Sequence, residues 1–304
     1  MQHVAAFFTK IAIRLVGLLP FWLIYGLSDF LCFLLFRVFR YRSKVVHSNL
    51  ARSFPEMDAK AIRALTARFY CHFSDVLMES VKGLSMSRSE LQRRFRYRNP
   101  EIFQPLLDKK QSAILLGSHY GNWEWGVLSF PLCVQHQVFG VYKPLKNKAL
   151  DTYLNSLRKQ WGLQLTEMKQ AGRVVVQQKS KPTIFVLIAD QTPFDVRNAH
   201  WMSFLHQDTP FLHGMDKLAR QTGYPVFYFE IERVRRGAYE VSFSPICGAP
   251  KNLAEGEITR LFGEKLEATI RREPANWLWS HRRWKRARRT VPGSPPNRNA
   301  ASAG

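Results

Sequence analysis

The chain is short of acid. Its 304 residues include 23 Asp plus Glu against 45 Lys plus Arg, a formal net charge of +22 at pH 7. A surface so one-sided faces something anionic, either nucleic acid or membrane headgroups. Cysteine is also scarce. Cys32, Cys71, Cys133 and Cys247 lie far apart and form no CxxC pair. This argues against a disulfide framework and a zinc ribbon, and fits a reducing compartment. Long apolar runs are too few for a multi-span membrane protein. With 46% apolar and 13% aromatic residues, the chain is still too hydrophobic to be mainly disordered. There is no Walker A motif, dinucleotide GxGxxG, GxSxG elbow or HExxH. Zinc-finger, RNP-type and basic-zipper patterns are missing too, which turns the basic charge toward a membrane rather than nucleic acid.

One apolar run is present. Residues 15–36 read LVGLLPFWLIYGLSDFLCFLLF. At 1.5 Å per residue this stretch reaches about 33 Å, enough for a bilayer core. Pro20 and Asp29 weaken it as a spanning helix. A membrane span or deep re-entrant anchor is the favoured reading, with an interfacial helix or a buried core helix as alternatives. No small-residue cleavage site follows, so it is not read as a removed signal peptide. Arg37, Arg40, Arg42 and Lys44 follow the run, and Lys10 and Arg14 precede it, which predicts a cytoplasmic C-terminal portion. A second basic stretch, HRRWKRARR at 281–289, is either a solvated tail or a contact for anionic lipid.

Beyond the run the pattern is helical. Ile62, Leu65, Phe69, Phe73, Val76, Leu77 and Val81 recur at spacings near three and four, predicting one long amphipathic helix with Asp58 as N-cap and Gly83 near its end. From about residue 100 short β-rich runs alternate with helical ones. Strands are predicted at 112–117, 138–143, 183–189, 225–232 and 239–246, with helices near 122–132, 147–161, 170–179, 211–222 and 255–272. The alternation predicts an α/β layered domain. Its sheet is mixed because the last two strands read as a hairpin across Arg235–Gly237. The division expected is an anchor at 1–42, a catalytic domain at 43–290 and a disordered tail at 291–304.

The chemistry concentrates in AILLGSHYGNWEW, residues 113–125. A buried strand runs into a glycine turn carrying His119. Asn122 then caps a helix whose first turn holds Glu124. Open α/β sheets place their sites at this strand end. On one continuous helix, residues five apart point about 140° apart. With His119 before the helix and Glu124 inside it, the two side chains can meet. A carboxylate on one imidazole nitrogen fixes the tautomer, so the other nitrogen can take a proton from an alcohol. The spacing alone is weak evidence, since such pairs arise by chance. Asp190 and Gln191 end the apolar strand TIFVLIADQ, on the same sheet edge if the two strands are parallel. Asp190 is either a structural acceptor there or part of the site. Lys143 and Arg158 either hold an anionic group or are ordinary exposed cations. His200, His206 and His213 lack ligand spacing, and no metal site is expected. Trp123, Trp125, Trp277, Trp279 and Trp284 read as packing or interfacial residues.

These residues carry a resemblance. SHYGNWEW is similar to the HX4D/E motif of lysophospholipid-type acyltransferases. Residues 15–287 resemble more narrowly the bacterial lipid A biosynthesis acyltransferases, the lauroyl/myristoyl late acyltransferase family. The resemblance runs through YRSKVVHSNLARSFPE, LMESVKG, VYKPLKN, ADQTP and PANWLWSHRRWK. It implies a mixed central sheet flanked by helices, glycerol-phosphate acyltransferase-like, behind an N-terminal membrane-anchor helix. It also implies transfer of a fatty acyl chain from acyl-carrier-protein thioester to a hydroxyl of a lipid A precursor, with no cofactor, at the cytoplasmic side of a bacterial inner membrane. His119 matches the general base and Glu124 its orienting carboxylate. Lys143, Arg158, Asp190 and Gln191 fall at polar, substrate-binding positions, and Lys143 stands where an Arg is common. Backbone amides near 117–122 are the expected oxyanion donors. After ADQ this chain has Thr192, Pro193 and Phe194 where many relatives soon have a Gly. Two rival readings are an enzyme for another acceptor, such as an aminolipid or lysophospholipid, and a non-catalytic basic binding protein.

Overall fold

The structure, a computed structural model, describes residues 2–178 and 180–286. The expected tail at 291–304 and Arg288 and Arg289 of the basic stretch lie outside the described residues. The strands are β1 (Phe95–Tyr97), β2 (Ala113–Gly117), β3 (Gln137–Tyr142), β4 (Leu163–Glu167), β5 (Thr183–Ile188), β6 (Ala199–Phe204), β7 (Gln207–Leu212), β8 (Val226–Arg235) and β9 (Ala238–Cys247). Seven of them form one sheet in the order β1-β9-β8-β2-β5-β3-β4, while β6 and β7 pair separately. All neighbours in the large sheet are parallel except β8 and β9, the expected antiparallel hairpin. The helices are α1 (Gln2–Leu18), α2 (Phe21–Phe33), α3 (Ser43–Ser53), α4 (Ala59–Gly83), α5 (Arg88–Arg94), α6 (Gln104–Asp108), α7 (Trp123–Ser129), α8 (Lys148–Arg158), α9 (Ala171–Gln177), α10 (Gly214–Thr222) and α11 (Glu257–Arg272).

The central strands are apolar throughout because both faces are covered. Ile114 and Leu116 of β2 face a core with Leu50, Phe69, Tyr228, Phe262 and Trp279. Ala113 and Leu115 face the opposite core, with Phe103, Trp125, Phe229 and Ile231. Such double coverage is what a parallel sheet requires. The long helix forms as its periodicity predicts. Asp58 Oδ1 accepts the Ala61 amide at 2.7 Å and the helix ends at Gly83.

The N-terminal apolar run is not one helix. It breaks at Leu19–Pro20, where Pro20 precedes α2, and α2 runs on through a wider turn to Val38. Phe21–Val38 is long and apolar enough to cross a membrane by length and composition. One face of α2 nevertheless lies on α4 and on the β8–β9 hairpin. Ile24, Ser28 and Cys32 are buried there. Ser28 donates to Asp75 at 2.6 Å, Tyr25 donates to Glu79 at 3.0 Å, and Arg236 pairs with Asp29 at 2.6 Å. Asp29, a liability in lipid, therefore has a cationic partner on the folded body.

Candidate active site

The register of two strands builds the site. Gly117 of β2 lies opposite Ile188 of β5, and the pairing continues with the Ala189 amide on the Gly117 carbonyl at 2.9 Å. Two residues beyond each strand, His119 and Asp190 meet. His119 Nδ1 lies 2.6 Å from Asp190 Oδ1. Asp190 Oδ2 accepts the His119 amide at 2.9 Å and the Trp277 indole N–H at 2.7 Å. Burial opposes ionisation of Asp190, but the His119 ring, the Trp277 donor and the His119 amide outweigh it and hold the carboxyl below its usual range.

An ionised Asp190 accepts at Nδ1, so Nδ1 carries the proton and Nε2 keeps its lone pair. The Gln191 amide donates to that lone pair at 3.1 Å. Trp123 stands edge-on to the ring, with centroids 5.1 Å apart. This geometry fixes the ring at Nδ1 and presents Nε2 as the nitrogen that can exchange a proton.

Glu124 does not orient the ring. The expectation of a His119–Glu124 contact is corrected: Glu124 reaches Arg158 at 3.1 Å instead, and Asp190 supplies the carboxylate at Nδ1. The cause is topological. Parallel pairing brings Asp190 beside His119 from 71 residues away, while Glu124 has turned onto α7. The structure thus brings together His119, Asp190 and Gln191, and separately Glu124 and Arg158. Lys143 is exposed just past β3 and joins neither group. Two of the amides expected to hold an oxyanion are occupied, His119 N by Asp190 and Gly121 N by the Asn276 carbonyl at 3.0 Å.

The turn is shaped by two glycines and a distant ledge. A Cβ on Gly117 would lie 2.0 Å from the Phe229 ring, and Gly121 has φ +58°. Tyr120 pairs as a β-bridge with Trp277, and Leu278 N donates to the His119 carbonyl at 3.1 Å. The ledge 276–281 is itself held by Asn49, whose amide donates to the Trp279 and His281 carbonyls at 2.9 and 3.0 Å. Arg42 adds a bond to the Ser280 carbonyl at 2.9 Å. YRSKVVHSNL and WLWSHRRWK, remote in sequence, are thus two sides of one support.

The bond of Trp277 to Asp190 leaves no sign in the sequence, which reads this residue as packing or interfacial. The described part of the basic stretch, residues 281–286, also differs from a solvated tail. Arg283 is 1% exposed, lies over Phe211, and donates to the Pro210 carbonyl at 2.7 Å. Burial pushes its guanidinium down to about 9, against the pull of Asp190. Beside it, burial together with Arg283 pushes His281 down to about 4 despite Asp190, so His281 is neutral at pH 7.

A 310 Å³ cavity lies along the end of β5. Leu187, Ile188 and Ala189, the residues leading into Asp190, line it with Val141, Met168 and Met215. A second, more polar cavity of 620 Å³ shares Gly214, Lys217 and Gln221 with it and adds His213 and Arg220.

Comparison with known proteins agrees with this architecture. Residues 1–286 match the family described as "Bacterial lipid A biosynthesis acyltransferase". The chain is also similar to a lipid A biosynthesis lauroyltransferase of Escherichia coli (strain K12), 26% identical over 282 residues, with 91% of this chain and 90% of the relative covered. A strand-end histidine paired with an aspartate, on a match that spans the whole described chain, leads to one conclusion: this chain belongs to the bacterial lipid A biosynthesis acyltransferases.

Proposed function

We propose that this protein moves a fatty acyl chain from acyl-carrier-protein thioester to a hydroxyl of a lipid A precursor, at the cytoplasmic face of the inner membrane. The observation that carries the reading is the Asp190–His119 bond at 2.6 Å, with Nε2 turned to the Gln191 amide. The acceptor hydroxyl displaces that amide and gives its proton to Nε2. Its oxygen attacks the thioester carbonyl carbon, the C–S bond breaks, and the imidazolium returns the proton to the leaving thiolate. Asp190 holds the tautomer and stabilises the imidazolium, so the base is His119 and its orienting group is Asp190 rather than Glu124.

Glu124 has a different task. Its pairing at 3.1 Å fixes Arg158 at the end of α8, where the guanidinium meets anionic groups of the substrates. Lys143 adds exposed positive charge near the same sheet edge. The 310 Å³ apolar cavity takes the acyl chain, each buried methylene contributing about 0.8 kcal/mol. Exposed Leu15, Leu18, Trp22, Phe30, Phe33 and Phe39 seat the first two helices in the lipid. Their charged face stays on the folded body, so they rest in one leaflet rather than cross.

The test is direct. Purified protein is incubated with a series of acyl-carrier thioesters and candidate lipid acceptors, and the products are weighed. The expected product is an acylated lipid A precursor, and His119→Ala abolishes it while folding and membrane binding persist. Product on an aminolipid or lysophospholipid alone assigns the same chemistry to that acceptor. Near-normal turnover by the variant rejects the role of His119.

A further inference from the structure

Glu79 lies on α4, outside the His119–Asp190 pair, and its side chain is fully buried. Three donors converge on its carboxylate. The Tyr25 hydroxyl of α2 reaches Oε1 at 3.0 Å. The Asn122 amide and the Tyr239 hydroxyl of β9 both reach Oε2, at 2.8 and 2.7 Å. The Glu79 backbone carbonyl accepts the Trp125 indole N–H at 2.7 Å. Asn122 is the hinge of this arrangement. Its Nδ2 donates to Glu79 while its Oδ1 accepts the Trp125 amide at 3.0 Å, capping α7. An amide flipped end for end would offer a donor to the Trp125 amide and lose the cap, so the carboxylate fixes which way Asn122 faces.

We propose that Glu79 is a positioning residue for acyl transfer: it clamps Asn122 and so fixes the first turn of α7, with Glu124 against Arg158, relative to the His119 turn. A helix of seven residues has little stability of its own, and its start is set by its cap and its packing. Trp125, held at both its amide and its indole, is completely buried against Gly83 and Tyr239. Glu124 lies between the capping Asn122 and this fixed Trp125, so its backbone is set in place and its carboxylate is presented to Arg158 at 3.1 Å. A displacement of about 1 Å near reacting groups costs on the order of 100-fold in rate. The carboxylate also ties in Tyr25, which places the membrane-facing helix and the active-site helix on one buried acid.

The inference rests on the acyl-transfer reading, and donor–acceptor reversal tests it separately. Asn122→Asp keeps a capping oxygen but sets a second carboxylate against Glu79. Glu79→Gln keeps one oxygen acceptor and gains an amide donor. The expected result is a loss in kcat/KM of ~30-fold for Asn122→Asp and ~3-fold for Glu79→Gln. The double variant, in which the new amide donates to the new carboxylate, recovers to about the level of Glu79→Gln, far from the ~100-fold loss of independent effects. Rates are taken per folded molecule by circular dichroism. Full activity of Asn122→Asp, or a double variant no better than Asn122→Asp, overturns the clamp while wild-type turnover leaves the acyl-transfer reading standing. No turnover by the wild-type protein on any thioester and lipid pair rejects acyl transfer itself.

Discussion

His119 is only 19% exposed at its side chain, and all its polar atoms have partners: Asp190 at Nδ1 and at the amide, Gln191 at Nε2, Leu278 at the carbonyl. The ring is therefore held in place, and only the Gln191 amide has to give way before Nε2 accepts a proton. Asp190→Asn keeps the shape but allows the side-chain amide to donate to the ring, favouring the tautomer with the proton on Nε2. It is expected to lower kcat by about 100- to 10,000-fold with little change in KM, measured by steady-state acyl transfer. The two buried acids respond to pH in opposite senses. Asp190 is held below its usual range, so the stability from its ionised form is full above the unfolded carboxylate range and is lost as pH falls through its folded value. Glu79 is pushed up to about 7 by burial and by Asp75, against the donors Tyr239 and Asn122 and the charge of Arg233. Its protonated form stabilises the fold below about pH 4.5, and that contribution is lost as pH rises through about 7. Thermal midpoints taken from pH 5 to 8 are expected to fall in the wild type more steeply than in Glu79→Gln. Equal slopes would show that Glu79 does not titrate in that window.

Elements show where the sequence was readable. The strand leading to His119 and the strand leading to Asp190 are both evident from their apolar runs, and the sheet edge they share follows only if the two are parallel, as they are. Their register is not evident, because register is set by pairing between segments and leaves no mark in either one. Local spacing therefore favoured Glu124, five residues away, over Asp190, which pairing delivers. β4 was missed because LQLTE is short and half-polar, and β6 because AHWMSF lacks alternation; its turn onto β7 uses Leu205 and His206 at positive φ rather than the usual glycine or asparagine. Residues 211 and 212, expected to begin a helix, complete β7, and α10 starts at Gly214. Two element-level predictions follow from the space around glycines. Gly117→Ala places a methyl on the Phe229 ring and is expected to cost about 1–3 kcal/mol in chemical denaturation. Gly172 on α9 borders the apolar cavity, and a Cβ there meets nothing within 4 Å. Gly172→Leu folds normally and fills that space. Competition between thioesters should then shift toward shorter chains, by about 10-fold or more for each methylene excluded. An unchanged chain-length profile would place the acyl group elsewhere.

The whole molecule has a greasy foot and a basic collar. Trp22, Phe30 and Phe33 project from α2, and Leu15 and Leu18 from α1, while Arg37, Arg40, Arg42 and Lys44 follow within a few residues. The other side of α2 is fastened by polar links, Tyr25 to Glu79, Ser28 to Asp75, and Asp29 to Arg236, which also holds Asp75 at 2.6 Å. A helix so attached cannot cross the bilayer without carrying Asp75, Arg233 and Arg236 into hydrocarbon, where each charge costs several kcal/mol. Resting in one leaflet keeps that cluster at the headgroups and still buries the aromatic side. In that placement the basic residues would face anionic lipid, each contributing about 1 kcal/mol near the surface. Binding to vesicles containing anionic lipid should weaken as salt rises but persist through the apolar contact. Lipids brominated on the acyl chain should quench tryptophan fluorescence, and Trp22→Phe should reduce the quenching, since Trp22 is the most exposed tryptophan among the described residues. An N-terminal epitope tag separates the two topologies. In spheroplasts with an intact inner membrane a tag on a leaflet-bound foot stays hidden from antibody, because the N-terminus remains on the same side as the catalytic body. Labelling of that tag from outside would mean that the chain crosses, and that the Asp29–Arg236 link breaks in the membrane.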